Sequence, residues 1–437
     1  MFLTRRFYIA GMAITALLVS GYIFPVLFIA GQTGVALLLI ASLIDCTMLW
    51  KHKEPATAER YCAPRFSNGD HNDVRLVIES SLQFNVNIDI IDEIPVEFQR
   101  RDILFKLKAP AKSREVLHYK LRPVKRGIYN FGNVLLYITT NIGLISRRIK
   151  CAQPTDITVY PSYIMLHKYE FMAIHNNLTE LGIKKIRRVG NNTEFEYIKE
   201  YTKGDDFRTI NWKASARRHQ PMVNVYQDER SQQIYSIIDK GRIMQSSFRG
   251  MTLLDYAINA ALVLSFVAMR KDDKAGLATF AENFETFIPA GKQTGQMQLI
   301  LESLYHQKTT FGESDYSSLY VHINKHINKR SLFIIYTNFE TIIGMERQIE
   351  YLRQLARKHV VLVVFFEDTD MKSFAAKHPE STEGYYRQVI TDKFIFEKRH
   401  IVAKLRQHGI HSLLTEPESL SVNVINKYLE MKARGAI

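Results

Sequence analysis

QQIYSIIDKGRIMQSSFRGMTLLDYAINAALVLSFVAMRKDDKAGLATFA, residues 232–281, holds a strand, a helix and a second strand in succession. QQIYSIID (232–239) is an apolar run of strand length. LLDYAINAALVLSFVAMR (253–270) is apolar on nearly every side, as a helix buried in a core must be. KAGLATFA (274–281) is strand-like again, and FETFIPA (284–290) follows it. Helical patterns come next near 293–306 and 316–328. SLFIIYTNF (331–339) is a strand, ERQIEYLRQLARKH (346–359) a helix and VVLVVFFED (360–368) another strand. A helix near 384–406, the short strand GIHSLL and a last helix near 418–433 finish the chain. Continuous apolar strands alternating with helices predict a doubly wound α/β sheet.

Outward from this block, the far N-terminus is different. From Phe7 to Trp50 the only charged side chain is Asp45. A bilayer span takes about 20 apolar residues. The stretch is therefore a transmembrane helical hairpin, with spans near 7–23 and 26–48 and a turn at Gly21 and Pro25, both helix breakers. A signal peptide would end much sooner and show a small-residue cleavage site. Arg5 and Arg6 precede the first span, Lys51, His52 and Lys53 follow the second, and the turn has no Lys or Arg. The positive-inside rule then places both ends, and the soluble body, in the cytoplasm at the inner membrane. Asp45 is expected near the inner end of its span, where a carboxylate costs less than at mid-membrane.

Between hairpin and α/β block, VRLVIES, FNVNIDIIDE, DILFKLKAP, VLHYKLRP and NVLLYITT alternate with turn-rich stretches such as SNGDHND (67–73). This spacing predicts a β-sandwich-like domain over 54–165. Asp89 and Asp92 are expected on solvated faces or in turns. MLHKYEFMAIHNNLTELG reads as a helix leading out of it, followed by the basic cluster KKIRR (184–188), a possible contact for lipid phosphates. The expected boundaries are 1–53, 54–165, 166–231 and 232–437.

The whole chain has 58 Lys and Arg against 44 Asp and Glu, a formal charge of +14. That excess suits an anionic surface, and for an anchored chain the nearest one is lipid. No nucleic-acid module is recognisable. Three scattered cysteines, Cys46, Cys62 and Cys151, make neither a disulfide framework nor a zinc site.

The densest polar stretch is GNNTEFEYIKEYTKGDDFRTINWKASARRHQPMVNVYQDE, residues 190–229. Phosphate loop, GxSxG and HExxH motifs are all missing from it. Glu194, Glu196 and Glu200 lie near Arg208, Lys213, Arg217 and Arg218, with Phe195, Tyr197, Tyr201, Phe207 and Trp212 between them. One reading pairs these charges internally, with Trp212 as a packed anchor before the small residues Ala214, Ser215 and Ala216. The other makes Asp205, Asp206 and Arg208, after Gly204, an exposed recognition surface. A hydrolase would need a nucleophile, a base and an orienting group. Ser215 and His219, or Asp205, Asp206 and Glu194, are the nearest candidates and do not form such a set.

EFEYIKEYTKGDDFRTINWKASAR strongly resembles the signature of the bacterial family known as domain of unknown function 58. The double span, RGIYNFG (126–132) and VYPS (159–162) fit the same resemblance, which departs at Lys199, where relatives carry Arg. It implies several things. Glu194, Phe195, Tyr201, Gly204, Asp205, Asp206, Arg208, Asn211, Trp212, Lys213 and Arg217 become the candidate protein-binding residues. The C-terminal block becomes a von Willebrand factor A-like domain. The function becomes that of a non-catalytic scaffold partnering a MoxR-type AAA+ ATPase, in chaperone-like assembly or envelope stress.

A-like domains often bind a divalent cation through Asp-x-Ser-x-Ser after the first strand, which would make this a metal-dependent adhesion-type ligand-binding protein. Here the stretch is Asp239-Lys240-Gly241-Arg242-Ile243. The Asp is kept, both serines are lost, and a later Asp is replaced by Asn338. Hard cations need charged oxygen ligands. The expectation is therefore no cofactor, with a vestigial Mg²⁺ site in which Asp239 pairs locally with Lys240, and Asp315 and Ser317 near by.

Overall fold

The computed structural model describes residues 1–100, 104–151, 154–166, 194–202, 205, 207–227, 231–375 and 381–436. The chain divides into two compact units, Met1–Tyr160 and Pro161–Ile437.

In the first unit a two-residue strand, β1 (Phe2–Leu3), precedes helix α1 (Arg5–Ser20), and a turn leads to helix α2 (Pro25–Trp50). Pro25 sits in the first turn of α2, where its missing N–H costs nothing. The helices pack antiparallel through small residues. A Cβ on Gly31 would meet the Leu18 side chain at 2.5 Å, and one on Gly34 would meet Ile14 at 3.3 Å. The expected hairpin is present, with one qualification. α1 has 16 residues, about 24 Å at about 1.5 Å per residue, short of a hydrocarbon core of about 30 Å. Among the described residues two helices are long and apolar enough to cross a bilayer, α2 and Leu253–Arg270. The second is a buried helix of the other unit.

The β-rich region follows as β2 (Ala56–Cys62), β3 (Arg65–Ser67), β4 (Asn72–Ser80), β5 (Val86–Asp92), β6 (Leu104–Ala109), β7 (Arg114–Leu121), β8 (Gly127–Phe131), β9 (Val134–Thr139), β10 (Ile145–Cys151) and β11 (Thr155–Tyr160). Among the described residues three sheets form: β1-β10-β9-β5-β6, β2-β4-β7 and β3-β11-β8. Alternate residues of β5 point inward, Val86, Ile88 and Ile90 among them, as a strand with one buried face requires. One core joins the sheets, and Leu49 from the end of α2 is part of it.

One expectation fails here and another is extended. Asp45 lies near the C-terminal end of α2, as expected, but it is more than a carboxylate tolerated there. It is buried against the β-rich region and accepts hydrogen bonds from the N–H groups of Leu144 (2.9 Å) and Ile145 (2.8 Å) and from the Thr140 hydroxyl. Asp92 is not solvated either. It is buried in an ion pair with Arg60 and accepts the Tyr119 hydroxyl. Burial, then the Asp92 charge, pushes the Tyr119 phenol far up. Both carboxylates stand at positions whose neighbours are apolar, Asp92 on the inward face of β5 and Asp45 in an apolar helix, and both are matched by donors distant in sequence.

The second unit begins, among its described strands, with the antiparallel pair β12 (Glu194–Glu200) and β13 (Met222–Gln227), with α3 (Trp212–Arg218) between them. Then come β14 (Gln233–Asp239), the small hairpin β15 (Ser247–Phe248) and β16 (Met251–Thr252), α4 (Leu253–Arg270), β17 (Lys274–Phe280), β18 (Phe284–Gly291), α5 (Gln296–Tyr305), α6 (Tyr316–His326), β19 (Leu332–Tyr336), α7 (Ile342–Lys358), β20 (Val360–Phe366), α8 (Thr369–Ala375), α9 (Thr382–Gln407), β21 (His411–Thr415) and α10 (Leu420–Ala433). The six-stranded sheet runs β18-β17-β14-β19-β20-β21, parallel except for the edge strand β18. Tyr235 and Ile237 of β14 face a core shared with α6, α7 and α9. α4, joined by α10, packs on β14 and β17 from the other side. The sequence pattern places β14, α4, β17 to β21 and the long helices between them, and misses α8, the β15–β16 hairpin and the β12–α3–β13 segment. The exit helix from Met165 and the KKIRR cluster fall outside the described residues, apart from the first two positions of that helix.

Candidate functional site

The chain leaves β14 toward β17 on one side and later returns to β19 on the other. In open α/β sheets, ligands bind where the strand order reverses in this way, beyond the carboxyl ends of the strands. A cleft of about 220 Å³ lies there, lined by Asp239, Ser314, Thr337, Asn338, Arg242 and Arg347, among others.

Asp239 ends β14 and is buried. Its oxygens accept the Gly241 N–H (2.8 Å), the Ser314 hydroxyl and the Thr337 hydroxyl (2.7 Å). Thr337 in turn accepts the Tyr316 hydroxyl at 2.9 Å. Burial pushes the Asp239 carboxyl up, against the pull of these hydrogen bonds.

The expected pairing with Lys240 does not occur, because Lys240 turns away to Glu285. The expected loss of hydroxyls is also corrected. Position 241 is glycine, and a Cβ there would fall 2.1 Å from the Ser314 Oγ. Ser314 thus fills the space that a side chain at 241 would take, and supplies a hydroxyl from another loop. Nothing in sequence spacing could locate it, since Ser314 is 75 residues from Asp239. Asp315 stays out of the cleft's hydrogen bonding and caps α6 through the Ser317 N–H.

This donor set does not fit a hard divalent cation. It offers one carboxylate, with both oxygens already taken by protein donors, and two guanidinium groups line the same cleft. Among the described residues no group of three or more His, Cys, Asp or Glu is arranged to hold a metal.

The signature segment folds as a capped hairpin. Asn211 begins α3, its Oδ1 accepting the Ala214 N–H at 3.0 Å while its Nδ2 donates to Asn224 at 2.8 Å. The Ser215 hydroxyl donates to the Asn211 carbonyl and accepts the Met222 N–H, both at 2.8 Å. These bonds commit Ser215 to the fold. His219 ends the helix with a left-handed backbone, φ 56°. Of the Ser215–His219 candidate, Ser215 thus has a structural role, and His219 marks the helix end by its backbone.

Lys199 pairs with Asp205 at 2.8 Å, and Asp205 also accepts the Thr202 N–H and hydroxyl. The Lys199 bond, then those from Thr202, hold the Asp205 carboxyl down to about 2. This pair is not among the internal pairings the sequence suggested, which joined Glu194, Glu196 and Glu200 to Arg208, Lys213, Arg217 and Arg218; it takes Asp205 from the recognition-surface reading and is made by one ammonium rather than by a two-pronged guanidinium.

Trp212 contradicts its expected role as a packed anchor. It is 76% exposed, and Phe207 is 69% exposed. Tyr197, Tyr201, Arg208, Lys213 and Arg217 are exposed as well. The cause is helix phase: Ala214 and Ser215 take the inner side of the short α3, leaving position 212 outside. Of the remaining candidates, Glu194 and Phe195 lie in β12, and Gly204 and Asp206 fall outside the described residues.

A mostly parallel α/β domain with a strand-end cleft and an appended capped hairpin is the class of structure defined here. The model of the family described as "Protein of unknown function DUF58" matches residues 197–375, from that hairpin through α8. The resemblance read from the signature therefore holds, as a match of these residues to that family's model. The chain is 24% identical over 225 residues to the uncharacterized protein YeaD of Bacillus subtilis, covering 50% of this chain and 54% of that one. It thus spans about half the length of this curated relative.

Among solved structures, the CARDB domain of the PF1109 protein from Pyrococcus furiosus is similar at 10% identity, over 24% of this chain and 91% of that one, with a TM-score of 0.18. The ASH/PapD-like domain of human CEP192 is similar at 12% identity, over 25% and 91%, with a TM-score of 0.19. Likenesses this slight carry no argument.

Proposed function

We propose that this is a membrane-anchored interaction protein without chemistry of its own. On this reading the C-terminal domain is a von Willebrand factor A-like module, and the partner is a MoxR-type AAA+ ATPase engaged in chaperone-like assembly or an envelope stress function. The observation that carries the reading is the exposed face of the signature hairpin, where Trp212 and Phe207 stand out among Arg208, Lys213 and Arg217. Tryptophan, tyrosine and arginine are the side chains that dominate binding hot spots. An aromatic face left in water is costly until a partner covers it.

The anchor is supported by the length and apolarity of α2 and by the hairpin's shape. Thr4, before α1, bonds Leu144, and Asp45, near the end of α2, bonds Leu144 and Ile145. Both hairpin ends therefore meet the β-rich region at one turn, and both carry basic flanks, which by the positive-inside rule supports a cytoplasmic position for that region. The identity of the partner rests on the family resemblance alone.

The test is co-purification from membranes. Wild-type protein should recover a MoxR-type ATPase. Trp212→Ala with Phe207→Ala should lose it while keeping the wild-type unfolding temperature. Equal recovery by both proteins, or no ATPase with either, sinks the proposal.

A further inference from the structure

The 26 residues of α9 divide into two parts. The C-terminal part is built into the domain, where Ile401 and Leu405 are buried in the core shared with α6 and α7. The N-terminal part, from Thr382 through Phe396, presents a bare apolar face. Tyr385, Val389 and Phe396 recur close to one line along the helix, with Tyr386 and Ile390 beside them. Val389 and Phe396 are each 67% exposed, and the other three are more than half exposed. Phe394 at the flank and Phe374 on α8 are also exposed. A continuous bare strip with four aromatic rings marks an interaction site rather than scattered surface apolars.

The charges around it narrow the occupant. α9 carries six Lys and Arg (387, 393, 398, 399, 404, 406) against three Asp and Glu (383, 392, 397), a balance of +3. Lys393 stands within the apolar face and is exposed, and Arg399 is exposed beyond its end. A second copy pairing face to face about a two-fold axis would bring each Lys393 toward its mate. A lipid surface has the opposite character. Tyrosine rings suit the headgroup layer, lysine reaches from an apolar face to phosphate, and anionic lipid welcomes the excess charge.

We infer that the N-terminal part of α9, from Thr382 through Phe396, lies on an anionic lipid surface, its Tyr385–Val389–Phe396 face in the headgroup boundary and Lys393 on lipid phosphate. This rests on the reading of the protein as membrane-anchored. An anchor holds a bilayer within reach at high effective concentration, so a weak interfacial contact is enough. The contact would hold the α/β domain down on the membrane, leaving the strand-end cleft and signature hairpin to partners.

The test uses the full chain in vesicles of phosphatidylcholine with or without phosphatidylglycerol. An environment-sensitive fluorophore is placed at Val389→Cys, and as control at Arg357→Cys on α7. The unsubstituted protein reports the background from Cys46, Cys62 and Cys151. With phosphatidylglycerol, a doxyl lipid should quench the 389 label several-fold more than the 357 label, and aqueous iodide should quench it less. The difference should shrink in pure phosphatidylcholine and in a Tyr385→Ser, Phe396→Ser variant that unfolds at the wild-type temperature. Protein that floats with the vesicles but shows equal iodide access at both labels overturns the inference and leaves the anchor standing. Shielding from iodide without doxyl quenching, with 389–389 cross-links, also overturns it in favour of a second copy. Failure to float overturns both readings.

Discussion

Replacing Asp45 by Leu separates two accounts of the hairpin by sign. If Asp45 only burdened a membrane span, Leu would relieve a cost of up to about 2.5–3.5 kcal/mol at mid-membrane and stabilise the protein. The structure predicts the reverse. Two main-chain N–H groups, at 2.8 and 2.9 Å, and the Thr140 hydroxyl all end on this carboxylate. Hydrogen bonds to a charged group contribute about 1.5–3 kcal/mol each, so losing the two from the main chain alone costs about 3–6 kcal/mol. Removing the carboxylate also removes the penalty of burying it, which brings the expected net loss toward about 3 kcal/mol. Asp45→Asn, which keeps one acceptor oxygen, should lose about half as much.

The readout is hydrogen exchange at the amides of Leu144 and Ile145 in lipid nanodiscs. A loss of about 3 kcal/mol raises the open population about a hundred-fold, since about 1.4 kcal/mol is tenfold. Unchanged exchange at both amides in Asp45→Leu, or slower thermal inactivation than wild type, would refute the docking of α2 on the turn before β10. Arg147 gives an independent handle on the same junction. Its guanidinium donates to the carbonyls of Leu49, His52 and Lys53, just where α2 ends.

Other outcomes follow from the same contacts. Arg60→Met should destabilise the β-rich region by about 3–5 kcal/mol, because it strands a buried Asp92, whereas Arg60→Met with Asp92→Leu should recover much of the loss; equal unfolding temperatures for single and double variants would contradict this. Gly241→Ser should drive Ser314 off Asp239 and cost about 1.5–3 kcal/mol, and adding Ser314→Gly should restore part of it by returning the hydroxyl to position 241. Calorimetric titration of the wild type with Mg²⁺ should give no saturable heat, and tight binding abolished by Asp239→Ala would reverse the conclusion about the cleft. His359 is buried with its Nδ1 unpartnered, and burial, then Lys358, lowers its pKa to about 4 from 6.5. The unfolded chain therefore binds the extra proton first as pH falls. Stability should be lost between pH 6.5 and about 4, by up to about 3 kcal/mol. His359→Leu should flatten that part of the wild-type pH profile, and parallel profiles would show that another group is responsible.

The elements of the α/β unit were legible because burial writes itself into composition. β19 and β20 read as continuous apolar strands, and α4 reads as apolar on all sides, because each is enclosed by the layers around it. α8 was missed because seven residues with one apolar pair carry too little period to register. Trp212 was misread for a subtler reason. An aromatic residue before three small ones suits either a packed ring or a ring projected from a tight helix. The choice lay in Asn211, whose cap to Ala214 fixes the phase of α3 and turns Trp212 outward. A cap residue before a helix is a sequence signal, so this error was avoidable.

The carboxylates were not legible in the same way. Asp45, Asp92 and Asp239 each stand where an isolated charge is costly, and sequence offers only the charge. Their donors lie 99 and 100, 32, and 75 and 98 residues away, in Leu144 and Ile145, Arg60, and Ser314 and Thr337. The carboxylate is written locally and its satisfaction is written in the topology. That is why Asp239 suggested a degraded metal site and proved to be a buried tie between three loops. A strand-end Asp that has given its oxygens to protein hydroxyls holds the cleft's shape by itself. The same cleft is lined by the guanidinium groups of Arg242 and Arg347, so the charge facing its space comes from cations while the one buried carboxylate is occupied by protein donors.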